Sequence, residues 1–148
     1  MPKQKKLDKV YMGIAEGVST LSHCERKKVG CIVVSGNNIL SMGYNGTPTG
    51  MDNTCEDTEL SLDDSFSTRW YVLHAESNAI AKVANSNNDC FGSTLYTTMS
   101  PCRECAKLII QAGIHRVVYK DLYKDCLAEE TLQAIRLLEE CNIKLYKL

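Results

Sequence analysis

No stretch of this 148-residue sequence is apolar for the roughly 18 residues that a membrane-spanning helix needs, and no signal-peptide apolar core follows the basic start MPKQKK. Neither sign of charge is in excess: 17 Lys and Arg face 18 Asp and Glu, for a net charge of -1 and a pI near 6.3. The overall basic field common to nucleic-acid binders is therefore missing, and an anionic ligand would have to meet a local cluster of donors. There is no internal repeat and no low-complexity linker. With this length, those absences predict one domain spanning residues 1–148 around a single core. The chain reads as cytoplasmic, without a membrane or nucleic-acid partner, and its basic start as a solvated terminal end.

Cysteine, by contrast, is plentiful. Cys24, Cys31, Cys55, Cys90, Cys102, Cys105, Cys126 and Cys141 make eight. Without a secretory signal, reduced thiols and metal ligation are expected before a disulfide framework. Cys31, Cys90, Cys126 and Cys141 sit in or beside apolar runs, which predicts core packing for them.

Apolar residues from Leu7 to Leu21 recur at helical spacing. Val29–Val34 and Ile39–Tyr44 read as two strands joined by a Gly-Asn-Asn turn. Residues Asn45–Ser67, rich in Gly, Thr, Asp and Ser, read as one long loop of the kind that carries function. Helical spacing returns from about His74 to Ala84. Then come a strand in STLYTTM, a helix in PCRECAKLIIQAGI closed by Gly113, a strand in HRVVYK, a helix over Leu127–Cys141 and a short strand in IKLYKL. This order predicts an α/β protein, a three-layer α/β/α sandwich around a central mixed sheet of about five strands.

The chemistry gathers in two short segments. In SPCREC, Ser100 is placed to cap a helix and Pro101 to be its first residue, so Cys102 and Cys105 share one face of the first turn. Helix N-termini favour thiolates, and two thiolates with a third ligand make a zinc site whose fourth position is left to water. In LHAESNAIAK, His74 and Glu76 stand two residues apart. Inside an ideal helix their side chains would diverge by about 200°. Both can serve one site only if the helix begins within a residue or two of His74. His74, Cys102 and Cys105 are then the candidate zinc ligands, and Glu76, not a ligand, is the proton-transfer group.

The pattern H-x-E followed by P-C-x-x-C resembles that of the zinc nucleobase deaminases. Within them, VGCIVV, GYNGTPTG, HAESNAI, SPCRECAKLIIQAGI and VVY resemble the deoxycytidylate (dCMP) deaminases, phage members included, from about Cys24 to Leu148. The resemblance implies hydrolysis of dCMP to dUMP and ammonia, supplying dUMP for thymidylate synthesis. It implies Asn45 at the deoxyribose, the Ala75 backbone N–H at the base, the Ser100 carbonyl beside the departing amino group, and Tyr123 at the substrate. It also implies a homo-hexamer activated by dCTP and inhibited by dTTP with Mg²⁺. Arg26, Lys27, Lys28, Tyr44 and Gly46 are the effector-site candidates. Phage members can carry a second, structural zinc, and Cys24 and Cys55 match two of its cysteines. Its histidine and glutamate are absent from DDSFSTRWYVL, leaving His23 or Asp57 as stand-ins, so one zinc per chain is expected. Two rivals stand beside this reading: an RNA or tRNA nucleobase deaminase, which would need a basic groove, and a non-catalytic zinc-stabilised binding module.

Overall fold

The computed structural model describes residues 2–60, 66–123 and 128–148. Five strands form the main sheet: β1 (Gly30–Ser35), β2 (Asn38–Tyr44), β5 (Thr94–Met99), β6 (Arg116–Asp121) and β7 (Lys144–Lys147). Their order is β2-β1-β5-β6-β7. β1 runs antiparallel to both β2 and β5, while β5, β6 and β7 are parallel. The hairpin closes through Gly36 and Asn37, with Gly36 at φ 59°, the sign that a short hairpin loop asks of its first central residue.

Alternation along the strands splits the core in two. Ile32, Val34, Tyr96 and Val118 face α1 (Lys3–Ser19) through Tyr11, Met12, Ala15 and Val18. Cys31, Val33, Leu95 and Val117 face the other layer, made of α2 (Ala75–Ala84), α3 (Arg103–Gln111) and α4 (Ala128–Glu140). Helices thus cover both faces of a mixed five-stranded sheet, the α/β/α sandwich expected. Among the described residues, no helix is long and apolar enough to cross a membrane.

Several expectations need correction. α1 starts at Lys3, a turn before Leu7, so the basic start is helical; its lysines face water while Leu7, Tyr11 and Met12 pack inward. The segment Asn45–Ser67 is not wholly loop: β3 (Glu56–Leu60) and β4 (Phe66–Thr68) pair as a separate antiparallel ribbon. Residues 61–65 of that segment, and Cys126 with Leu127, lie outside the described residues. Cys141 is exposed because it follows the last turn of α4 rather than facing the sheet; Cys31 and Cys90 are buried as expected. Cys24 and Cys55, expected as reduced thiols, form a disulfide. The fold brings their Cα atoms to 5.1 Å, within bridging reach, a proximity that compartment arguments do not see.

One buried ion pair pins α1 to the sheet. Arg116 donates through two nitrogens to Asp8, at 2.9 and 2.6 Å, and the Tyr96 hydroxyl donates to the same carboxylate at 2.7 Å. Burial pushes the Asp8 carboxyl up, but the hydrogen bonds from Arg116, Gln4 and Tyr96 outweigh it and hold the group below its ordinary 3.8. A depressed folded pKa means stability that is fully present above that ordinary value and lost as pH falls through the lower folded one. Asp8→Asn is expected to cost about 3 kcal/mol near neutrality, where Arg116 is left buried without its counter-charge. The deficit should shrink in urea titrations run progressively below pH 4; a deficit independent of pH would contradict this account.

Candidate metal and catalytic site

The site lies where the first turns of α2 and α3 converge. α2 begins at Ala75, and His74 is its N-cap in an extended conformation, φ -75° and ψ 156°. The helix therefore starts where the His74–Glu76 spacing required. Three contacts hold that start. Gly46 and Leu73 exchange backbone hydrogen bonds of 3.1 and 2.8 Å, the Asn78 side chain donates to the Tyr44 carbonyl at 2.9 Å, and Gly43 lets β2 approach α2 closely. A Cβ on Gly43 would collide with the Ala75 carbonyl and come within 2.5 Å of the Ala79 nitrogen.

α3 begins at Arg103, two residues beyond the predicted start, with Cys102 as its N-cap. Ser100 is therefore not the cap. The Cys102 sulfur fills that role by accepting from the Cys105 N–H at 3.4 Å. Ser100 is buried and works on the neighbouring segment: its N–H donates to the Asp121 carbonyl at 2.8 Å, and its hydroxyl accepts from the Tyr123 N–H at 2.9 Å. Both converging helices thus have a candidate ligand at the N-cap position, and the Cys102 side chain makes the cap bond of α3.

His74 Nδ1 lies 3.3 Å from the Cys102 sulfur and 3.4 Å from that of Cys105, and the three donor atoms fall within 4.8 Å of one another. With ordinary Zn–N and Zn–S bond lengths, a tetrahedral ion separates such atoms by about 3.6 Å, so this donor set fits zinc with little adjustment. Hydrogen bonding from the Cys105 thiol, reinforced by His74, holds Cys102 well below the ordinary thiol range against the opposing effect of burial. Cys105 moves the opposite way, since it donates to Cys102 and is itself buried. The hydrogen bond to Cys102 also raises His74 against desolvation. Among the described residues, no fourth Cys, His, Asp or Glu joins this group, and no other such group occurs.

A cavity of about 390 Å³ opens onto His74 and Cys102, while Cys105 is buried and does not line it. Glu76 lines it yet is almost fully buried, and burial pushes its carboxyl above the usual range despite hydrogen bonds from its own backbone and from Thr97. Ala75 lines it too, and sits in the first turn of α2, where backbone N–H groups lack intrahelical partners. Asn45, Ser100 and Tyr123 share the wall. The Asn45 amide also works on the chain itself: its oxygen accepts from the Val29 N–H at 2.8 Å and its nitrogen donates to the Lys27 carbonyl at 2.7 Å. One N–H and one lone pair are left for a ligand.

The effector candidates separate. Arg26 and Lys27 line this same cavity, whereas Lys28 is exposed and does not. Tyr44 and Gly46 do not line it either; their backbones hold α2 in place. The segment 25–29 is fixed from outside by Glu56, whose carboxylate accepts from the Glu25 and Arg26 N–H groups at 2.9 and 3.1 Å. Lys27 places its ammonium 4.4 Å from the centre of the Tyr123 ring. Sequence reading missed Glu56, Thr68 and Thr97 as parts of this site because they reach it through pairings distant in sequence, and Val72 and Met99 because an apolar residue beside a motif carries no chemical signal of its own.

The family model for the cytidine and deoxycytidylate deaminase zinc-binding region matches residues 5–121. The deoxycytidylate deaminase of Mycobacterium phage D29 is 39% identical over 120 residues, which span 76% of this chain and 92% of that one. The mouse deoxycytidylate deaminase is 38% identical over 141 residues, 93% of this chain and 76% of its own. The structure superimposes on the crystal structure of the dCMP deaminase from cyanophage S-TIM5, solved in complex with dCMP and dUMP. The TM-score is 0.84 and the identity 40%, covering 100% of this chain and 99% of that one. With the family model spanning most of its length and a His-Cys-Cys donor set suited to zinc at the head of its two converging helices, the chain belongs to the cytidine and deoxycytidylate deaminase family.

Proposed function

We propose that the chain is one deaminase domain that hydrolyses dCMP to dUMP and ammonia. The observation that carries this reading is the buried carboxylate of Glu76 on the wall of a cavity that is also lined by two of the three zinc-type donors, His74 and Cys102, and by two cationic side chains, Arg26 and Lys27. His74, Cys102 and Cys105 would hold Zn²⁺, which supplies Lewis-acid activation of water. Hydrolysis adds water across C4 and N3 of the cytosine, and the tetrahedral carbon then expels its amino group as ammonia. Glu76 takes one proton from water and passes it to N3, then takes the second from the C4 hydroxyl and passes it to the departing amino group as the C4 carbonyl forms. Burial shifts its pKa upward, the direction that favours an acid as well as a base role. The Ala75 N–H meets the base, the Ser100 carbonyl accepts from the departing amino group, and Asn45 and Tyr123 hold the sugar side of the cavity.

Arg26 and Lys27 are read as the partners of the 5′-phosphate rather than of a separate effector, because both line the cavity that Glu76 lines. A net charge of -1 gives no long-range attraction for an anion, so these two side chains would have to supply it locally. Regulation by dCTP and by dTTP with Mg²⁺, and assembly as a homo-hexamer, are part of the same proposal. They rest on the likeness in sequence to the dCMP deaminases. A purely structural metal site leaves Glu76 without a purpose: burying a carboxylate at a cavity wall costs stability, and a proton-transfer role accounts for that cost.

Ammonia release from zinc-loaded protein, offered dCMP, deoxycytidine, dCTP and adenosine in turn, tests the reading. Turnover of dCMP alone is expected. Arg26→Ala should raise KM for dCMP by about 10-fold or more, the worth of a charge-assisted hydrogen bond, and leave zinc content intact. Equal rates on dCMP and deoxycytidine would remove the phosphate assignment, and preference for adenosine would overturn the substrate.

A further inference from the structure

We propose that Thr97 is a positioning residue for Glu76, resting on the reading of Glu76 as the proton-transfer group. Thr97 lies on β5 with its side chain on the α2 side of the sheet, and it is fully buried. Its hydroxyl stands 3.0 Å from Glu76 Oε1 and 2.8 Å from the Met99 carbonyl. The two partners have different reach. Met99 and Cys102 belong to the stretch leading out of β5 into α3, whereas Glu76 belongs to the first turn of α2. One hydroxyl therefore ties the carboxylate to the strand whose end delivers the sulfur ligands.

The chemistry of a hydroxyl suits this place. It has one proton and two lone pairs, so it donates to an ionised carboxylate or accepts from a protonated one while turning its proton to the Met99 carbonyl. The Thr97 bond to Oε1 thus holds Glu76 in the same rotamer on either side of a proton transfer. Without that anchor the Glu76 carboxylate keeps its burial and its own backbone contact but loses the bond that fixes Oε1 toward β5. Misplacement of about 1 Å costs on the order of 100-fold in rate. Valine would fill the same volume in a β-strand but offer no hydrogen bond.

The test compares Thr97→Val, Thr97→Ala and Thr97→Ser in zinc-loaded protein turning over dCMP. Valine and alanine should lower kcat by about 10- to 100-fold with KM changed less than about twofold and zinc retained, and serine should recover most of the rate. Adding Thr97→Val to Glu76→Gln should cost nothing further, because residues acting through one group are not additive. Wild-type kcat in the valine variant overturns the proposal. So does serine as slow as alanine, which would make the methyl group rather than the hydroxyl responsible, or full additivity with Glu76→Gln. Failure of the wild-type protein itself to act on dCMP would instead strike the reading of the site.

Discussion

Glu76→Gln is expected to lower kcat for dCMP by about 1,000-fold or more while the protein keeps its zinc and its fold, at the upper part of what general acid–base catalysis contributes. The substitution is nearly isosteric, so the close packing of α2 against β2 at Gly43 is unaffected. Thr97 can still donate to the amide oxygen, as it does to Oε1 of the carboxylate at 3.0 Å. The amide cannot accept the proton from water or deliver one to N3. Burial already works against the ionised form of Glu76, so the neutral glutamine should melt at the same temperature or higher. Metal analysis beside steady-state kinetics checks the claim. A variant with full zinc and near-wild-type kcat would remove Glu76 from the reaction.

Cys102→Ala is expected to cost both the metal and the activity. The Cys102 sulfur caps α3 through the Cys105 N–H, contacts His74 Nδ1 at 3.3 Å, and is shifted toward the thiolate by hydrogen bonds from Cys105 and His74. Outer-shell changes weaken metal sites by about 10- to 100-fold, so deleting one of three protein ligands should exceed that. Zinc measured after dialysis should fall from one per chain to a small fraction, with turnover of dCMP lost in proportion. Cys141→Ser, an exposed position remote from the ligands, is the control that should leave both values unchanged. Full zinc in the Cys102 variant would show that the ion is held elsewhere. Zinc near two per chain in wild-type protein would reopen Cys24 and Cys55, which the fold joins as a disulfide.

What could be seen in the sequence was what is local. The two-residue separation of His74 and Glu76 makes sense only at a helix start, and α2 does start there. The i, i+3 spacing of Cys102 and Cys105 puts both at the start of α3, Cys102 as its N-cap and Cys105 in its first turn, and the cap is the cysteine sulfur and not Ser100. The turn at Gly36, the helix stop at Gly113 and the five-strand sheet follow from glycine placement and apolar alternation, which tertiary packing did not override. Relations across the sheet were hidden. Thr97 and Glu76 are 21 residues apart, and in STLYTTM the threonine reads as one more β-branched strand residue. The orientation of Arg26 and Lys27 depends on Asn45 and Glu56, distant side chains that grip the backbone of that segment. The ribbon of β3 and β4 was missed because EDTEL and FST lack the apolar alternation that announces a strand.

The central claim is that His74, Cys102, Cys105 and Glu76 together direct water to C4 of dCMP. Turnover of dCMP by zinc-loaded protein in heavy-oxygen water, with the product analysed by mass spectrometry and ammonia measured in parallel, tests it most directly. The expected result is dUMP carrying solvent oxygen at C4, one ammonia released per dUMP formed, and both products formed about 1,000-fold or more slowly by the Glu76→Gln protein. Unchanged dCMP after prolonged incubation with fully zinc-loaded protein would contradict it.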